Sequence, residues 1–171
     1  GYPIITASME ETAAMIEVIN ESDAEVDEVS VAEQARFVLD RLRIHPQAEL
    51  SIMFVDEIAM TDLHVTWMDE PGPTDVLSFP MDELRPPRDD EPPVEGLLGD
   101  IVICPQVAAS QAQKAGHPER HEIGILLTHG VLHLLGYDHA EPDEERLMFG
   151  LQNRLVAEWN ALVRMAHGEE R

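Results

Sequence analysis

His129, His133 and His139 stand at spacing i, i+4 and i+10, with Gly136 between the second and third. On an α-helix, residues four apart lie one above the other. His129 and His133 can therefore aim ring nitrogens at one centre. Gly136 supplies the permissive backbone that ends a helix and turns the chain, which brings His139 back to the same place. Three neutral nitrogen donors with a fourth position open make a catalytic zinc site rather than a closed structural one. One zinc ion on these three residues is the expectation; nickel or cobalt would accept the same donors.

The spacing is that of the metzincin metallopeptidases, where a glutamate directly after the first histidine acts as general base. Here that residue is Gly130, which cannot take a proton. The metal site is kept and the peptidase base is missing, so water on the ion becomes the expected nucleophile and no side-chain base is assigned. A lone HxxxH pair arises by chance in helices; a third histidine after a helix-ending glycine does not readily do so. His45, His64, His117, His121 and His167 show no such grouping and read as surface or packing residues.

The 171 residues suit one domain with a core that needs no disulfide. It is placed at residues 15–165, with 1–14 read as an added or poorly ordered extension, Met15 as a plausible start, and 166–171 as a tail. No apolar run reaches membrane-span length and no signal peptide is visible. The single cysteine, Cys104, excludes an internal disulfide and fits a reducing compartment. It ends an apolar run and reads as a small core residue. Thirty-four acidic against eleven basic side chains give a formal charge of −23, which opposes any large polyanion-binding surface. Phosphate contacts would have to come from a local basic patch and the metal, against a repulsive field.

The elements that must position the histidines follow from periodicity. Met15–Ile19 alternates as a first strand. Ser30 is the expected N-cap of a helix carrying Val31, Ala35, Val38, Leu39 and Leu42. Leu50–Val55 is a strand, 56–68 a helix, and Pro71-Gly72-Pro73 a break. Val76–Phe79 is a short strand stopped by Pro80. A proline-rich acidic loop at 81–97 is a surface loop or lid. Gly99–Cys104 is the fourth strand, followed by a helix at 105–115. Pro118 fits N1 of the metal helix and Gly136 its stop. Ile123, Leu127, Val131 and Leu134 form the core stripe of that helix, and the histidines share another face with Leu126 and Glu122. A last helix at 142–165 turns Leu147, Leu151, Leu155, Trp159 and Leu162 inward. The fold class is α+β (an α/β sandwich), with four strands and about five helices.

The metal run HGVLHLLGYDH, the block PTDVLSFP at 73–80, the GDIVI strand at 99–103 and the Asn20-Glu21-Ser22 start occur in the order found in the YbeY family of bacterial endoribonucleases. From about Met15 to Trp159 the chain resembles that family. The resemblance implies a mixed four-stranded sheet with helices, one zinc ion, and zinc-dependent cytoplasmic cleavage of single-stranded RNA. It implies roles in maturing the 3′ end of 16S ribosomal RNA and in ribosome quality control. Ribosomal RNA, ribosomal particles, ribosomal proteins and assembly GTPases are the implied partners, without a membrane. Its ligand set maps onto His129, His133 and His139.

One departure concerns the family's arginine, in a segment like Leu-Asn-x-x-Tyr-Arg. Here the segment is Leu63-His64-Val65-Thr66-Trp67-Met68, with Met68 at the arginine and His64 at the asparagine. A thioether cannot partner a phosphate as a guanidinium does; Arg85 or Arg88 on the acidic loop could supply a cation instead. Thr74, Asp75 and Ser78 fall beside the proposed site, Asp75 as a turn or sheet-edge hydrogen-bonding residue. Strand alternation puts Val76 with Ser78 and Leu77 with Phe79. Asp138 is a partner for a ligand histidine or a turn residue, and Glu122 lies two turns up the helix, too far to act as base. Two other functions fit the residues: a zinc peptidase or amidase, and a non-catalytic ribosome-assembly factor whose zinc is structural.

Overall fold

The computed structural model describes residues 15–68, 72 and 74–167. The expected extension at 1–14, Pro71 and Pro73 of the break, and 168–171 of the tail lie outside the described residues. The elements are β1 (Ile16–Asn20), α1 (Glu28–Arg41), β2 (Glu49–Phe54), α2 (Glu57–Met68) and β3 (Val76–Pro80). After them come β4 (Leu97–Ile103), α3 (Pro105–Ala115), α4 (Glu119–Leu134) and α5 (Pro142–Ala166). The sheet order is β1-β2-β4-β3. β1 with β2 and β2 with β4 are parallel, and β3 runs antiparallel to β4. The mixed four-stranded sheet and α+β class read from the sequence are what the chain forms.

Period-two alternation, shifted once by a bulge at Leu98 of β4, divides the sheet residues between two layers. Leu50, Ile52 and Phe54 of β2, with Leu98, Ile101 and Ile103 of β4, join α1, α4 and α5 in the main core. Val55, Leu77, Val102 and Cys104 pack on the other face with Met60 of α2. Ser78 and Val76 turn toward α4 while Leu77 and Phe79 turn to the second layer, the alternation expected of this strand. β3 is an edge strand, which is why it tolerates Pro80 as its last residue instead of stopping before it.

Helix ends differ from the expected ones where two cap formers compete. Asp27, not Ser30, caps α1: its side chain accepts from the Ser30 amide, and the helix gains an extra turn. Pro118 is the N-cap of α4 rather than N1, and Glu141 caps α5 in a reciprocal capping box with Glu144. The α5 stripe is rotated about one residue from the all-apolar pattern. Met148, Gln152, Leu155 and Val156 are buried, whereas Leu147 is 63% and Leu162 44% exposed. The acidic loop after β3 holds one isolated bridge, Ile44 with Val94. The Arg43 guanidinium donates to the carbonyls of Arg88 and Glu91, which fastens the loop to the end of α1.

α4 is the element everything else positions. Ile123, Leu127, Val131 and Leu134 are buried as expected, so the helix lies on the sheet with its opposite flank on α5. Gly130 faces Ile101 of β4, and Gly124 faces Gln34 of α1. With no side chain at either position, α4 approaches both neighbours closely.

Candidate metal centre

His129 and His133 project from the last two turns of α4 with ring centroids 4.5 Å apart. The helix closes on Leu135, and Gly136 follows at φ +93°. The Gly136 amide donates to the His133 carbonyl and the Tyr137 amide to the Leu132 carbonyl, the paired bonds of a helix-ending turn that needs a left-handed residue. Tyr137 packs against the core. The chain reverses and places the His139 ring 5.8 Å from that of His129 and 5.4 Å from that of His133. One nitrogen from each ring lies within 4.8 Å of the other two, and all three converge on one point that could hold a metal ion.

The hydrogen bonding fits that use. His129 Nδ1–H donates to Gln152 Oε1 at 2.8 Å, which leaves its Nε2 lone pair free for an ion. Gln152 is itself buried in α5. Burial, followed by the nearby His129 and His139 rings, holds the His133 imidazole below the ordinary histidine pKa. A neutral ring is the form that ligates. Phe149 of α5 closes one side, with its ring 5.8 Å from His129 and 5.9 Å from His139.

The histidines open into a cavity of about 790 Å³ between α4, α5 and β3. Thr74, Asp75 and Ser78 line it, so the block before and within β3 does stand beside the centre. Ser78 donates to the Gly130 carbonyl at 3.1 Å, tying β3 to α4. Asp75 accepts from its neighbour Val76 N at 2.7 Å and from Gln111 Nε2 at 3.2 Å, the turn role expected of it. Asp138 also serves a turn: its carboxylate accepts from the His139 amide at 2.7 Å. Glu122, which sequence spacing puts too far up the helix, lines the same cavity. Its carboxylate accepts from His117 Nε2 at 2.6 Å.

Met68 lines the cavity where the family pattern has arginine, and no lysine or arginine is among the described lining residues. Arg85 and Arg88 are not among them either. The expectation that the other histidines are ungrouped fails for two: the His117 and His121 rings meet at 4.6 Å, because α4 begins directly after His117 and Pro118. Only one signal pointed to Gln152, a polar residue in phase with Met148 and Leu155 on an otherwise apolar stripe. Phe149 of the same helix carries no spacing signal.

Residues 17–160 match the family model described as Endoribonuclease YbeY. A Beutenbergia cavernae protein named Endoribonuclease YbeY is 67% identical over 140 residues, covering 82% of this chain and 93% of its own. One from Thermobifida fusca, with the same name, is 64% identical over 144 residues, covering 84% and 93%. The solution structure of TM1509 from Thermotoga maritima has the same fold at TM-score 0.62, 24% identity, and coverage of 90% of this chain and 95% of that one.

Proposed function

Because the chain belongs to the YbeY family of endoribonucleases, and so is a hydrolase acting on RNA, we propose that it cuts single-stranded RNA at a zinc ion held by His129, His133 and His139. The observation that carries this reading is the convergence of the three rings with the Gln152 bond that leaves His129 Nε2 free. Bound there, an ion of this kind lowers the pKa of a coordinated water to about 7 and draws charge from a phosphoryl oxygen.

The chain's own part is to position. Gln152 fixes the His129 tautomer and ring plane. Burial disfavours the protonated form of His133. Phe149 gives the cavity an apolar wall that limits water beside the centre, and Ser78 holds β3 as its opposite wall. No side chain is assigned as base. The catalytic domain spans residues 15–165, with the 81–97 loop at its surface. No described helix is long and apolar enough to cross a membrane. In our reading the protein works in the cytoplasm on ribosomal RNA and ribosomal particles, maturing the 16S 3′ end and serving ribosome quality control. A peptidase reading is disfavoured by Gly130, whose position has no room for a base.

The test pairs metal analysis with an RNA-cleavage assay on wild type and His133→Ala. Stoichiometric zinc and cleavage in the wild type, both absent from the variant, are expected. Full cleavage by verified zinc-free protein would sink the assignment.

A further inference from the structure

A second cavity, of about 410 Å³, lies at the other end of the α4–α5 pair. Arg120, Arg164, His117, His121, Asn160 and Trp159 line it. α4 and α5 run antiparallel: His129 pairs with Gln152 and, eight residues back on one helix and eight forward on the other, His121 pairs with Asn160. At 1.5 Å rise per residue the two rungs are about 12 Å apart.

Two features favour an anion in this cavity. First, neither Arg120 nor Arg164 has a carboxylate within ion-pairing distance among the described residues, while Glu122 beside them pairs with His117. Two of the eleven basic side chains thus line one hollow with no ion pair among the described residues. Second, the donors point to an anion. Asn160 Nδ2 donates to His121 Nδ1 at 3.2 Å, so the His121 ring proton sits on Nε2, with no described partner. The one carboxylate bonded in the cluster, Glu122, is already occupied by His117. Trp159, half-buried and packed at a tilt on Phe37, lines the cavity with part of its indole, a ring of the kind on which nucleobases stack.

The centre itself has no arginine or lysine among its described lining residues, so an RNA strand must meet cations elsewhere to bind. We propose that the Arg120–Arg164 cavity is a phosphate-binding subsite for the single-stranded RNA whose scissile bond lies at the three histidines. The guanidinia contact a backbone phosphate of the same strand on the α1 side of α4, beyond the His121–Asn160 rung, and Trp159 carries the neighbouring base. This rests on the endoribonuclease reading, but its test does not depend on turnover.

Binding of a fluorescently labelled 12-nucleotide single-stranded RNA to the metal-loaded full chain is followed by anisotropy across salt concentrations, with strand integrity checked at each point. Arg120→Ala/Arg164→Ala should weaken binding about tenfold and flatten the log–log salt slope by about 0.7 for each phosphate no longer neutralised. Arg120→Lys/Arg164→Lys, which keeps the charge, should restore most of the slope; an equal effect in both pairs would mark a packing role and overturn the proposal. So would an unchanged affinity and slope in the alanine pair, or arginine-dependent binding of a poly-glutamate peptide in place of RNA. Metal content of every variant is measured alongside, so failure at the three histidines is told apart from failure here.

Discussion

The Cα of Gly130 faces the side chain of Ile101, and a Cβ at position 130 would stand 3.0 Å from Ile101 Cγ2 and 3.2 Å from Cδ1. Position 130 therefore points into the sheet and away from the converging rings. The residue after the first ligand is a contact between α4 and β4, and a general base there would be buried against an aliphatic chain.

Alanine at position 130 gains about 1 kcal/mol of helix propensity and loses about 1–3 kcal/mol to overpacking, so the clash should win. Gly130→Ala is expected to lower the urea midpoint. In an Ile101→Ala background, where the clash is relieved, the same change should raise it. Additive effects in this double-mutant cycle would show that the two residues do not press on one another. Gly130→Glu should be less stable still and show no hydrolysis of an unfolded polypeptide.

Gln152 orients His129 through one hydrogen bond, and partners of this kind tune metal affinity about 10–100-fold. Gln152→Ala should lose that much zinc affinity in competition with a chromophoric chelator. Gln152→Glu keeps an acceptor for Nδ1–H and should hold zinc at least as well as the wild type. Wild-type affinity in the alanine variant would remove Gln152 from the site.

Arginine at position 68 would put a guanidinium on the rim of a cavity that has none among its described lining residues. Met68→Arg should lower KM for single-stranded RNA about tenfold, with bound zinc unchanged. Steady-state kinetics beside metal analysis decide it: a KM at or above the wild-type value counts against a phosphate at this wall.

Gly136 adopts φ +93°, a conformation that costs an alanine more than about 1 kcal/mol. Gly136→Ala should lower stability and, because the turn aims His139, also raise the zinc dissociation constant. Loss of stability with unaltered zinc binding would mean that His139 finds the centre without this turn.

Burial raises the Cys104 thiol pKa, with Asp56 and Glu57 adding to it. A raised folded-state value means that the unfolded chain releases its proton first. The thiol's contribution to stability is therefore complete below the unfolded pKa and falls as pH climbs above it. Between about pH 8 and 10 the wild type should lose stability faster than Cys104→Ala, read from urea midpoints. Native Cys104 should also resist alkylation until the protein unfolds.

Much of the centre was legible because it is local. Two ligands share a helix face, and the third follows a glycine whose conformational need is written in its type. Gln152 was not legible, since its pairing with His129 links two helices and no spacing rule spans them. The same residue explains the misread phase of α5. A stripe counted from apolar residues alone selects Leu147 and Leu162, but the buried sector is centred on a polar side chain that faces a ring. His117 and Glu122 escaped for a related reason: five residues apart across a helix start, they meet only because Pro118 sets the chain's entry into α4. The sheet came through well, since each buried strand carries its own alternation; its order, with β4 between β2 and β3, is set by tertiary pairing.

The β3 rim has a further consequence. An edge strand presents unpaired amides and carbonyls that another chain can extend, and this one borders an open, largely apolar hollow. It is five residues long and ends at Pro80, which offers no N–H. A second copy adding itself there would gain few ladder bonds before the register ran out. The protein can thus keep a ligand-facing margin open in water without inviting its own polymerisation, and its strong like charge works in the same direction.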